Sequence, residues 1–508
     1  MSMSATMKAT RKEWIGLAVI ALPCLLYSMD LTILNLALPA ISADLHPSAS
    51  QILWIVDIYG FMVSGWLITM GTLGDIIGRR KLLLIGAALF GLASIAAAFS
   101  DSAAMLITMR ALLGVAGATV APSTLSLIRN MFHDDKERTF AISIWITSYS
   151  VGGVLGPLAG GLLLEHYHWS AAFLAGVPIM LLLLVTGPYL LPEYRNPDAQ
   201  RLDIPSTLLS ITSILSLVYA LKSTAEHGMS ILAAAVLGAG VILGLVFLRR
   251  QRHIPVPMLD LKLFRSRSFT LYLAAYMLCF FCMFAVFVFL YQYVQLVCGL
   301  TPLESGVYTL PAFILSIVGS LGVSHMLRWF SVRTLMVGGL LMATTGVVLL
   351  LFAGADGDIA LVVTAQSFLV FGITPFAALA TDSIVGSAPA ERSGAAAALS
   401  ETCAELGGAI GIAVLGSLGM IVYRTQVMAH HGLPAATAHS LNEAMAVAKT
   451  VEEPLASSIR TISSAAFTEA LQTIAAVATA LLGLCAIVIY FTSKRTTSMS
   501  MDVVEQHE

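Results

Sequence analysis

The chain has 508 residues, 58% of them apolar and only 11% charged, and its mean hydropathy is +0.87. A soluble protein of this length needs far more charge to cover its surface, so a soluble globular fold is excluded. The net charge of −2 identifies no partner; the placement of the charges along the chain is what informs.

Apolar runs of about 18 residues or more read as membrane spans. Lipid offers backbone groups no hydrogen-bond partner, so such runs must be helices. Fourteen are expected. The first six lie at 14–38, 52–73, 82–99, 103–128, 140–164 and 170–191, and the next two at 204–221 and 229–247. The last six lie at 269–294, 305–326, 334–352, 359–384, 394–423 and 465–491. This divides the chain into 1–198, a six-helix bundle, 199–264, an inserted two-helix hairpin with its loop, and 265–508, a second six-helix bundle. A long loop at about 424–464 precedes the last span and contains Pro434 and Pro454. Lys8, Arg11 and Lys12 precede the first span, which is too long for a cleaved signal and lacks a small-residue cleavage site. The six cysteines fall in or near apolar segments and read as small packing residues.

An even span count puts both termini on one side. Of the 27 Lys and Arg residues, only Lys222, Arg424, Lys449 and Arg460 then face the other side, and Arg110 lies within a span. That bias makes the terminal side cytoplasmic.

Charged residues within spans carry the chemistry. Asp30 is about 16 residues into span one, roughly 24 Å along its axis. A charge near the bilayer centre costs about 3 kcal/mol on insertion scales, so an intramembrane carboxylate defaults to a functional reading. Asp57 in span two stands closer to the boundary, near Trp54, and an interfacial role competes with a functional one. Arg110, in span four, holds its charge permanently; it tunes a neighbouring carboxylate or braces helices. Gly71, Gly74, Asp75, Gly78 and Arg79 form a glycine-rich charged loop after span two. Plain positive-inside topology accounts for Arg80 and Lys81 but not for Asp75 or the glycines.

Span five carries Gly152, Gly156, Pro157, Gly160 and Gly161. Glycines at this spacing let helices approach closely. Trp145 and Tyr149 stand one turn apart on the same span, and Phe281 and Phe284 crowd span nine. Such rings can hold a cation by π-attraction, although packing against neighbours is the commoner role. Asp382 and Glu469, near span ends, read as interfacial charges. In span thirteen Glu401 and Glu405 share one helix face. Two carboxylates so placed repel when both are ionised, which suits a site that exchanges a proton for a cation. The alternative is that one of the two only supports the other and does not itself exchange the proton or cation.

The halves echo each other. Gly71-Thr72-Leu73-Gly74 is matched by Gly319-Ser320-Leu321-Gly322, and Glu137-Arg138-Thr139 by Glu391-Arg392-Ser393, both at offsets of roughly 250 residues. Parallel repeats of this kind place a binding site at the midplane between the halves.

Four segments resemble the fourteen-span drug:proton antiporters of the major facilitator superfamily, and the resemblance covers essentially the whole chain. Residues Asp30 to Pro39 match the family's first-span signature, Gly71 to Lys81 its loop between spans two and three, and Arg110 with Gly114 and Gly117 its span-four motif. Gly152, Gly156, Pro157, Gly160 and Gly161 match its antiporter motif, G-x-x-x-G-P-x-x-G-G. The pattern is most similar to the QacA-like branch, exporters of quaternary ammonium compounds and dyes. Two positions depart from it: Leu113 stands where many relatives have Gln, and Val323 replaces the acidic residue of the second-half loop motif.

The resemblance implies an all-α integral membrane protein with the major facilitator fold. It implies proton-coupled export of lipophilic cations across the bacterial inner membrane, and the residues themselves make Asp30, Asp57, Glu401 and Glu405 the expected proton and substrate carboxylates. Arg110 and the Gly71–Arg79 loop would couple and gate. The alternative is a proton symporter importing a small polar metabolite, which should lack the span-five motif. No enzyme is expected, since there is no metal-ligand cluster, nucleotide motif or soluble domain. No cofactor is expected either; the absence of an ATP-binding loop leaves the proton gradient as the driving force. The expected partners are small lipophilic cations, protons and the lipid bilayer, with no nucleic acid, and the working unit is a monomer.

Overall fold

The computed structural model describes residues 8–47, 49–195, 202–228, 230–254, 257–389, 393–430 and 433–505. Arg201, Glu391 and Arg392 lie outside the described residues, as do the side chains of Asn35, Pro39, Pro157 and 493–505. Among the described residues the ordered elements are helical, and fourteen spans are long and apolar enough to cross a membrane.

The first half contains α1 (Arg11–Leu45), α2 (Ala49–Ile77), α3 (Arg79–Ala98), α4 (Ala103–Gly117), α5 (Val120–Met131), α6 (Asp135–His166), α7 (Ser170–Leu174) and α8 (Val177–Leu190). Helices α9 (Ile204–His227) and α10 (Ile231–Gln251) form the hairpin. The second half contains α11 (Arg267–Gln292), α12 (Pro302–Met326), α13 (Val332–Leu349), α14 (Ile359–Ser387), α15 (Ser393–Met428), α16 (Leu441–Ala448) and α17 (Leu455–Glu505).

Two spans are broken, each just before a proline. Pro122 has no N–H to give Ala118, and the fourth span breaks at Ala118–Thr119 into α4 and α5. Pro178 likewise has none for Leu174, where α7 ends. Several elements also reach further than the apolar runs. Capping by Asp134, whose carboxylate accepts from the N–H of Lys136 and of Glu137, starts α6 at Asp135. The segment before the last span is shorter than the sequence suggests, because α15 continues to Met428 and α17 starts at Leu455. It holds α16, and Tyr423 pins it by donating to the Thr437 carbonyl at 2.8 Å.

Glycines set the closest approaches. A Cβ on Gly152 would lie 2.1 Å from the Leu25 carbonyl oxygen, and one on Gly156 1.8 Å from Thr32 Oγ1, so α6 lies directly on α1. The second half repeats the device: a Cβ on Gly407 would meet the Met277 carbonyl at 2.5 Å, and one on Gly411 the Phe281 carbonyl at 2.0 Å. Helix α15 therefore lies on α11 as α6 lies on α1.

The halves meet along α6 with α12 and along α2 with α15. Hydroxyls tie the first seam: Ser320 donates to the Ser143 carbonyl at 2.7 Å, and Ser150 and Ser316 lie 3.0 Å apart. The second seam closes where Gly71 meets Ala398 and Gly394, with room for no Cβ. The described ties run from mid-bundle to the end that carries the termini, where the halves are shut together.

Candidate functional site

A cavity of about 220 Å³ lies between the halves. Tyr27 of α1, Val63 and Leu67 of α2, Gly117 and Ala121 of the broken fourth span, and Trp145, Ile146 and Tyr149 of α6 line it from the first half. From the second half come Tyr276, Phe280 and Phe284 of α11, Ala377 of α14, and Glu401, Ala404 and Glu405 of α15. Two carboxylates thus face a wall of aromatic rings. Tyr149 packs edge-on against Trp145 at 4.8 Å and against Tyr27 at 5.7 Å. Trp145 is fixed by its indole N–H, which donates to Thr124 Oγ1 at 2.9 Å. Opposite, Phe280 stands 4.8 Å from Tyr276 and 6.0 Å from Phe284.

The carboxylates differ in their surroundings. Glu401 Oε1 is buried with no hydrogen-bond partner among the described residues. A buried, unmatched carboxylate oxygen is costly unless a proton or a cation joins it. Glu405, one turn further on, has the Tyr27 hydroxyl beside it and Lys222 within electrostatic reach.

Asp30 does not line this cavity. It pairs with Arg110, Nη1 to Oδ2 at 2.6 Å, inside the first half. Arg110 is fully buried and held on three sides: Nε donates to the Ile55 carbonyl at 3.1 Å, Nη2 reaches the Val56 carbonyl at 3.5 Å, and the guanidinium lies 4.9 Å from the Tyr59 ring centre. It therefore joins α1, α2 and α4. Asp57 pairs with Lys222. The apolar run ends at Leu221, but α9 extends past Lys222 and carries it against α2.

The expected glycine-rich loop is almost wholly helical: Gly71, Gly74 and Asp75 lie in the last turns of α2, Gly78 alone separates α2 from α3, and Arg79 begins α3. Asp75 pairs with Arg79, which also donates to the Gly71 carbonyl at 3.2 Å. Gly74 lies against the Arg79 side chain. Gly78 takes φ +109°, and a Cβ there would lie 2.4 Å from a Glu193 carboxylate oxygen, so the turn suits only glycine. Gly394, at the start of α15, presses on the Arg79 guanidinium. The turn therefore bears directly on the second half.

Asp382, read as an interfacial charge, spans the halves instead. Arg138 Nε donates to its Oδ1 at 2.7 Å and Thr139 Oγ1 to its Oδ2 at 2.7 Å. Beside it Arg129 donates to the Gly386 carbonyl at 3.1 Å, and the Ser126 and Ser393 hydroxyls lie 2.6 Å apart. Glu469 accepts from Gln426 at 2.8 Å on the exposed surface. Trp145, Tyr149 and Phe284 stand at the cavity; Phe281 does not line it, and its backbone packs against Gly411. Gly160 is buried, while a side chain at Gly161 would meet nothing within 4 Å.

Residues 20–412 match the profile of the Major Facilitator Superfamily. The chain belongs to this superfamily. Among the superfamily's curated proteins it is similar to "Multidrug efflux pump LfrA" of Mycolicibacterium smegmatis, 42% identical over 489 residues, covering 96% of this chain and 97% of that protein. It is also similar to "Methyl viologen resistance protein SmvA" of Salmonella typhimurium, 32% identical over 446 residues, covering 87% and 90%. The human organic anion transporter MFSD10 shares the major facilitator fold, with a TM-score of 0.61 over 92% of this chain and 99% of that one, at 15% identity. This superfamily member is thus a multi-pass membrane transporter whose relatives are multidrug efflux pumps.

Part of the major facilitator site escaped the sequence reading. Gly407-Gly408 and Gly411 repeat the spacing of Gly152-Gly153 and Gly156, and that echo was available from the residues alone. Tyr27 and Tyr276 carried no such signal, being ordinary aromatics of apolar spans.

Proposed function

We propose that the protein is a proton-coupled antiporter that exports lipophilic cations across the bacterial inner membrane, with both termini in the cytoplasm. The observation that carries this reading is the unpartnered Glu401 oxygen beside Glu405 in a cavity walled by aromatic rings. Aromatic faces attract a desolvated cation, and the carboxylates supply its counter-charge. An apolar cation is the best match, because it costs little to strip of water.

The cycle follows from charge balance. With the cytoplasmic end open, a cation enters from the cytoplasm or inner leaflet and is held by the ionised glutamates. The terminal ends of the halves then close through Arg138 and Asp382 and through Arg79 against Gly394. Protons from the outside neutralise the glutamates, and the cation leaves. Exchange of one proton for one monovalent cation moves no net charge; a second proton adds about 2.3 kcal/mol of drive per 100 mV. Asp30 and Arg110 form a fixed pair that links cavity helices in this scheme, and Asp57, nearer the outer end, is paired with Lys222.

The reading is tested by ethidium efflux from cells lacking other pumps. Wild type is expected to lower cellular ethidium against an imposed proton gradient, while Glu401→Gln and Glu405→Gln lose at least about tenfold of the rate, as expected when a proton-carrying group is removed. Normal efflux by both variants would overturn the carboxylate mechanism, and net uptake by wild type would overturn the direction.

A further inference from the structure

Helix α9 of the inserted hairpin is embedded in the transport core. Leu215 sits over Gly65 of α2, where a Cβ would come within 2.8 Å of it. One turn on, Tyr219 stacks on Trp54 with ring centres 6.3 Å apart. Lys222 follows on the same stripe. It pairs with Asp57 and places its ammonium 5.0 Å from the centre of the Phe61 ring. An apolar side chain would suit this stripe; a lysine there is costly without a counter-charge. The two side chains are only 34% and 20% exposed, so their charges act over a longer range than at a wet surface. Helix α9 also packs on α15, which carries Glu405 to the cavity, so the Lys222 charge bears on that carboxylate.

We propose that Lys222 is the resident counter-ion of Asp57 and a specificity-determining residue, setting the number of positive charges a substrate can bring to the cavity. The inference rests on the cationic-export reading above. With Lys222 in place, Asp57 is already matched, and the cavity offers a substrate the charge of Glu401 and Glu405 alone. Neutralising Lys222 leaves Asp57 as an added negative charge on α2, about 9 Å along the helix from the cavity-lining Val63, which favours a dication over a monocation. Neutralising Asp57 leaves an unmatched ammonium near Glu405, which disfavours a dication. A pair that merely fastened the hairpin would impair both classes of cargo alike.

The test uses the purified full chain in proteoliposomes, with ethidium as the monocation and methyl viologen as the dication. Initial rates and KM are measured for wild type, Lys222→Gln, Asp57→Asn, the double variant and Lys222→Arg. Lys222→Gln is expected to shift the preference toward methyl viologen by at least about fivefold, and Asp57→Asn to shift it oppositely. The double variant and Lys222→Arg should return near the wild-type ratio. Because the double variant removes both charges together, it keeps the test valid if a single variant folds poorly. An unchanged ratio in all variants, or a shift in the same direction in both single variants, would overturn the proposal. If wild type carries neither probe, the cationic-export reading fails and this inference falls with it.

Discussion

Arg138 Nε donates to Asp382 Oδ1 at 2.7 Å, joining the start of α6 in one half to α14 in the other. Both side chains are largely buried, at 11% and 14% exposure, and Thr139 fills the second carboxylate oxygen. Removing Asp382 leaves Arg138 only the exposed Asp135, which pairs with its Nη1 at 2.9 Å, so the loss should be below the about 3 kcal/mol of a buried pair broken outright.

Asp382→Asn is therefore expected to shift the protein away from the form closed at the terminal end. Spin labels placed on the two halves at that end should report a larger long-distance population. Arg138→Asp with Asp382→Arg should recover much of the closed form. An unchanged distance distribution in Asp382→Asn would show that the pair does not hold the halves.

The glycines of α6 give a graded prediction. At Gly152 a Cβ would strike a backbone oxygen, at Gly156 a side-chain hydroxyl, and at Gly161 nothing within 4 Å. Overpacking of this kind costs about 1–3 kcal/mol. Gly152→Ala should lower thermal stability and efflux most, Gly156→Ala less, and Gly161→Ala hardly at all. Gly411→Ala should behave like Gly152→Ala. Equal effects at Gly152 and Gly161 would contradict the packing of α6 on α1.

How far the sequence led is clearest at the acidic residues. The apolar runs and the charge bias gave fourteen spans, and the helical spacing put Glu401 and Glu405 on one face, where the structure has them beside the cavity. Periodicity cannot report partners brought together by the fold. Asp30 and Arg110 lie 80 residues apart and Asp57 and Lys222 165, so neither pair was legible. Helix length was underestimated for a related reason: polar caps and paired charges extend α6 and α9 beyond their apolar cores, and a hydropathy reading stops at the first charge.

The Asp30–Arg110 pair can be separated from the cavity carboxylates. Asp30→Asn leaves a buried guanidinium with carbonyl partners only, and stability should fall by about 3 kcal/mol. Asp30→Asn with Arg110→Gln should regain part of that stability without regaining transport. Thermal unfolding in detergent, beside ethidium efflux, checks both. An Asp30→Asn protein as stable as wild type but unable to transport would instead make Asp30 a mobile proton carrier.

At the terminal end of the inserted hairpin, Asp203 is held by Arg250, whose Nε and Nη2 donate at 2.8 and 2.9 Å. These bonds, with those from Ser206, keep its carboxyl low, at about 2. A lowered folded-state value contributes stability above the ordinary carboxylate range and loses it as pH falls toward the folded value. The stability difference between wild type and Asp203→Asn should therefore stay constant between about pH 5 and 8. Thermal unfolding across that window checks it, and a difference that changes within the window would contradict the assignment.

The central claim is that a proton and a cation compete for Glu401 and Glu405. Its most direct test adds tetraphenylphosphonium to the purified protein in weak buffer and counts protons released per cation bound. Wild type should release about one proton per bound cation at a pH where the glutamates are protonated, because linked binding is reciprocal. Glu401→Gln with Glu405→Gln should bind the cation weakly and release none. Unchanged proton release in that double variant would contradict the account.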